Sequence, residues 1–134
     1  MTPSSFLYQH SEDPENSPEA QTLQRYKDML ENIRYLLLYE VDLRTIKKSD
    51  IDMCERDLRE IIKGIEKLRR VPHIDSLLKS VDGIQGKIFD AINSLYLASD
   101  VIEHRYTARG RELLYQKLRE CPLFLLEAIE QFLI

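Results

Sequence analysis

Residues 65–92 read IEKLRRVPHIDSLLKSVDGIQGKIFDAI. Ile65 and Leu68 continue an apolar ladder at helical spacing, and Val71-Pro72 interrupts it. Ile74, Leu77 and Leu78 then form a one-turn cluster, and Gly83 and Gly86 punctuate a restart carrying Ile84, Ile88 and Ile92. Proline disfavours helical geometry in the residue before it and suits the first turn of a following helix. The stretch therefore predicts a helix that ends at Val71, a short helix around 74–78 and a long helix opening at Gly83.

The spacing persists on both sides. Upstream, Ile51, Cys54, Leu58, Ile61, Ile65 and Leu68 recur at intervals of 3 and 4, and Ile62 widens the stripe. Ser49, Asp50 and Asp52 give this helix its predicted start, because carboxylates are favourable at the positive end of the helix dipole. Gly64 lies inside it, where glycine costs about 1 kcal/mol relative to alanine. Close approach of a neighbouring helix is the simplest compensation. Before it, 42–48 is mixed charge. Earlier still, Leu23, Tyr26, Leu30, Ile33 and Leu37 mark a first helix reaching about Glu40 and opened by Ser17-Pro18-Glu19. Residues 1–18 hold three prolines, four serines and an acidic cluster, and read as a disordered tail.

Downstream, the stripe Ile84, Ile88, Ile92, Leu95, Ala98 and Ile102 runs to about 104–106, and Thr107 is the predicted cap of a last helix with Leu113, Leu114 and Leu118. Pro122 is expected to kink or restart that helix before LFLLEAIEQFLI at 123–134. Helical pieces without an alternating strand pattern make the chain all-α, with one helical domain over 19–134.

The 134 residues are 43% hydrophobic and 31% charged, enough for a real core. Of 23 acidic and 19 basic residues, six and two lie in 1–31, which leaves the remainder balanced around a net charge of −4. That balance gives no reason to expect direct nucleic-acid binding. The longest apolar run, 35–39, is far below the roughly 20 residues that cross a bilayer. Neither membrane insertion nor secretion is expected. Cys54 and Cys121 have no metal-ligand spacing and signal no disulfide framework, consistent with an intracellular setting.

Constellations that carry chemistry are missing. There is no phosphate-binding or dinucleotide glycine motif and no HExxH, and His10, His73 and His104 are far apart in sequence. Asp100 and His104 sit one turn apart without the repeated ExxH units of a di-iron bundle. No catalytic residue, metal site or cofactor is predicted. Arg56, Arg59, Lys63, Lys67 and Arg70 do form a basic ridge opposite the apolar stripe of their helix. Such a ridge is either a solvated face, tempered by Asp57, Glu60 and Glu66, or a docking surface for an acidic peptide. Tyr96, Tyr106 and Tyr115 cluster at the last corner, as half-buried core residues or as anchors for a bound peptide.

The ladder Ile65, Leu68, the Val71-Pro72 turn with Ile74 and Leu77-Leu78, and the Gly83-Ile84-Gln85-Gly86-Lys87-Ile88 restart together resemble the N-terminal domain family of the transcription elongation factor TFIIS. Flanking segments 48–61 and 99–119 are similar to the integrase-binding-domain branch of that family, so the resemblance spans 46–119. It differs at His73 and Gln85, which are extra, and 91–98 lacks that branch's basic run. The resemblance implies a compact bundle of five to six helices arranged as antiparallel hairpins, nuclear and non-catalytic. It implies capture of disordered acidic and aromatic motifs from transcription-elongation or chromatin partners. The implied pocket is made by the loop bearing Ile46, Lys47 and Asp50 and by the corner from Tyr96 to Tyr106; Lys63, Lys67 and Arg70 of the ridge, read from helical spacing, are further candidates for contacting an acidic partner. The alternative is a cytoplasmic helical module that forms a homodimer through 122–134, whose apolar residues exceed what one helix face hides. A small helical enzyme or metal protein ranks last.

Overall fold

The computed structural model describes residues 17–134, so the tail expected over 1–18 lies outside them except for Ser17 and Pro18. Three side-chain hydroxyls open three helices. Ser17 Oγ accepts from Ala20 N–H at 3.1 Å and starts α1, Pro18–Tyr35. Ser80 Oγ accepts from Gly83 N–H at 2.9 Å and starts α3, Val81–Val101. Thr107 Oγ1 accepts from Gly110 N–H at 3.0 Å and starts α4, Ala108–Ile129, as the sequence predicts. Each satisfies one of the amide donors a helix start leaves unpaired.

The second helix, α2, is Lys48–Lys67 and begins just before the expected Ser49. Its first turn is closed by the Asp50 carboxylate, which accepts from Lys47 N–H at 3.3 Å, so Ser49 lies within the helix rather than capping it. At its far end α2 stops at Lys67, short of Val71, and single turns lead to Pro72. His73 takes a left-handed φ of 68° before the 3₁₀ turn Ile74–Ser76, where the short helix was expected. The end of α1 also departs from a plain helix. Beyond Tyr35 it widens into the π turn Leu36–Glu40, closed by Val41 N–H on Leu36 O at 3.0 Å.

All four α-helices pack together, and the described residues form no strand beyond an isolated bridge between Leu78 and Phe132. The apolar stripes supply the core: Leu23, Leu30, Ile33 and Leu37; Ile51, Leu58, Ile61 and Ile65; Ile84, Ile88 and Leu95; Leu114, Leu118 and Leu125. The most extensive packing joins α3 to α4, and α3 buries the small residues Ala91, Ser94 and Ala98. α4 runs unbroken through Pro122, which is itself buried, so the expected restart does not occur. Burial of Leu118, Cys121, Leu125 and Ala128 around the proline offsets its interior cost of about 3 kcal/mol. The last residues fold back: Lys79 N–H donates to Gln131 O at 2.8 Å and Leu133 N–H to Leu77 O at 2.9 Å, burying Phe132.

Two glycines make room for neighbours. A Cβ on Gly64 would collide with the Tyr26 ring of α1, the close approach its mid-helix position predicts. One on Gly110 would collide with the His104 carbonyl at the corner before α4.

Candidate partner-binding site

α1 packs chiefly on α4 and α2 chiefly on α3, so α1 and α2 meet only lightly. Along their seam the end of α1 lies beside the start of α2, and the start of α1 beside the end of α2. A cavity opens at each end.

At the start of α2, a cavity of about 480 Å³ has Ile33, Leu36, Val41, Ile46, Met53 and Cys54 as its apolar lining. Its charged lining is Glu40, Asp42, Asp50 and Asp57 against Lys47. Ile46 is buried, while Met53 is 48% exposed. Asp42 is engaged by Arg44, whose hydrogen bonds hold its carboxyl below the usual range. Burial pushes the Cys54 thiol up to about 11, and the carboxylates of Asp57 and Asp50 push in the same direction. On the neighbouring surface of the α1 end, Tyr35 and Tyr39 are 54% and 69% exposed, with ring centroids 5.0 Å apart at 52°.

At the other end, a cavity of about 770 Å³ is lined by Tyr26, Ile62, Gly64, Leu68 and Phe89, with Lys63 and Lys67 beside Glu60 and Glu66. Lys63 pairs with Glu60 at 3.6 Å and Arg59 with Glu55 at 2.9 Å, so part of the basic ridge is neutralised along its own helix. A third cavity of about 480 Å³ surrounds Tyr96 between α2 and α3. There the buried Ser99 hydroxyl donates to Asp52 at 3.0 Å and accepts from Lys48 Nζ at 2.8 Å, and Lys48 also pairs with Asp52 at 3.1 Å. This trio ties the start of α2 to the end of α3.

The residues nominated from sequence thus fall into separate places. Ile46, Lys47 and Asp50 share the cavity at the start of α2. Tyr96 lines the third cavity, and Tyr106 is 86% exposed at the corner. Arg105 joins that corner to the loop, donating from Nη1 to Ile46 O at 2.6 Å and to Arg44 O at 3.2 Å. Lys63 and Lys67 line the opposite end of the seam, and Arg70 is exposed beyond α2. At 1.5 Å of rise per residue, Lys63 stands about 24 Å along the helix from Lys47, so one small pocket does not unite them.

Sequence reasoning passed over Glu40, Met53, Cys54 and Asp57 at this cavity. The signal was faint: Leu36 and Leu38 are apolar residues beyond what the α1 stripe needs, and Leu38 is exposed. Comparison with protein-family models, curated proteins and solved structures returns no match.

Proposed function

We propose that this chain is a non-catalytic adaptor domain that captures a short disordered segment of a protein partner at the start of α2. The observation that carries the reading is the 480 Å³ cavity in which Ile46, Lys47 and Asp50 come together over an apolar lining. Its volume lies in the roughly 300–1,000 Å³ range of sites that hold a ligand-sized apolar group. The same end of α1 also exposes Tyr35, Leu38 and Tyr39, apolar and aromatic surface outside the cavity's lining. The reading takes the helices as paired hairpins whose loops build the pocket, with Arg105 holding loop and corner in register. By the resemblance of residues 65–92, the partners to try first are transcription-elongation and chromatin proteins, in a nuclear setting. Ordering such a segment on binding costs several kcal/mol, so affinity is modest and exchange fast.

Selection of displayed peptides on the immobilised chain tests this. Selected sequences should lose binding to a Met53→Gln variant, which makes the cavity lining polar at a half-exposed position without changing its charge. Peptides that bind the variant and the parent equally would sink the reading.

A second reading has its own observation. Leu123 and Leu133 are 62% and 50% exposed on the segment proposed to form a homodimer, although Leu125, Ala128 and Phe132 are buried within the chain. Light scattering separates the two: a monomer at high concentration removes self-association through 122–134.

A further inference from the structure

We infer that the cavity at the start of α2 takes a cationic amphipathic segment of a partner protein, with one apolar side chain against its lining and lysine or arginine side chains against its carboxylates. The inference rests on the adaptor reading and sets the sign of the partner's charge, opposite to the acidic motif that the basic ridge suggests.

The apolar lining provides the site, and the charge around it selects the occupant. Glu40 comes from the π turn, Asp42 from the loop, and Asp50 and Asp57 from α2; Lys47 is the basic residue of the lining, while Arg44 and Arg105 reach the same loop through Asp42 and the Ile46 carbonyl. Asp42 is paired with Arg44 and Asp50 is hydrogen bonded to Lys47 N–H. Glu40 and Asp57 have neither a hydrogen bond nor an ion pair among the described residues. Two carboxylates without a partner beside an apolar wall leave negative charge there that disfavours an acidic ligand. A cationic one neutralises it, while its apolar anchor displaces water from Leu36 and Met53. The Cys54 thiol senses the same negative field from Asp57 and Asp50, after the larger effect of burial.

The test uses the full chain and three synthetic peptides: a lysine- and arginine-rich amphipathic peptide with a leucine anchor, the same peptide with glutamates for the cations, and the basic peptide with alanine for leucine. Backbone amide shifts report the site, and fluorescence anisotropy reports affinity. The basic, leucine-bearing peptide should shift the amides of Ile46, Met53 and Cys54. Its affinity should fall at least about tenfold in the Glu40→Lys/Asp57→Lys variant, checked for helicity by circular dichroism. If that variant does not fold, Glu40→Gln/Asp57→Asn takes its place with a loss of severalfold expected. A Glu112→Lys/Glu130→Lys variant, which makes the same charge change at exposed positions lining no part of this cavity, should bind as the parent does. Equal losses in the two charge-reversal variants would reduce the effect to net charge and overturn the inference. So would equal binding of the alanine peptide. An acidic peptide that shifts the same amides more tightly overturns the sign while leaving adaptor function standing; no shift with any peptide removes both.

Discussion

At Gly64 a single hydrogen in place of a methyl group decides how α1 crosses α2, because the Tyr26 ring occupies the space a side chain would need. Gly64→Ala therefore sets a helix-propensity gain of about 1 kcal/mol against displacement of the ring, and a net loss of roughly 1 kcal/mol is expected by urea denaturation. In a Tyr26→Ala background the same substitution should become stabilising; a gain in the parent would show that the ring moves aside freely. Asp52 acts at the same scale. The Lys48 hydrogen bond, with a smaller share from Ser99, lowers its carboxyl below the ordinary 3.8, with burial opposing. A carboxyl depressed on folding contributes stability above its unfolded value, and that contribution disappears as the pH falls through the folded value. Asp52→Asn should be less stable than the parent at neutral pH, and the gap in denaturation midpoint should close below about pH 4. A gap that survives at low pH would mean the loss came from packing instead.

At the scale of elements, helix starts were legible at Ser17 and Thr107, which cap where their sequences say, whereas Ser49 falls inside α2 and the Ser80 cap was passed over for the Gly83 restart. The end of α2 was less legible. Pro72 restricts only the residue before it, and the helix ends earlier because the backbone turns through 68–71 toward the left-handed His73. Pro122 misled for the opposite reason: local preference opposes helix there, but buried residues on either side of it, Leu118, Cys121, Leu125 and Ala128, hold the helix in the core. That tension gives a measurable outcome. Pro122→Ala restores an amide donor for the Leu118 carbonyl and removes the ring's steric conflict, at some loss of buried surface, so a rise in stability of about 1 kcal/mol is expected in a thermal melt. A fall would mean that the ring's packing outweighs the hydrogen bond.

For the whole molecule, periodicity revealed the all-helical class and the core, since buried positions repeat every three or four residues along each helix. The meeting of distant segments was not legible in that way. Ile46, Lys47 and Asp50 could be nominated together because they are neighbours in sequence, whereas Glu40, Met53 and Asp57 join them only through the placing of α1 beside α2. Lys63 and Lys67 share a helix with Asp50 and yet face a different opening, because a twenty-residue helix is about 30 Å long. The light meeting of α1 and α2 carries a further consequence for motion. α1 is held mainly by α4, by its own capped start and by Lys27 Nζ on Ile134 O at 3.0 Å. It can lift away as a cooperative unit while α3 and α4 stay paired, so its amides should exchange with solvent at a lower free energy of opening than those of Ile88 or Leu118. Uniform exchange across all four helices would show instead that the chain opens only by global unfolding.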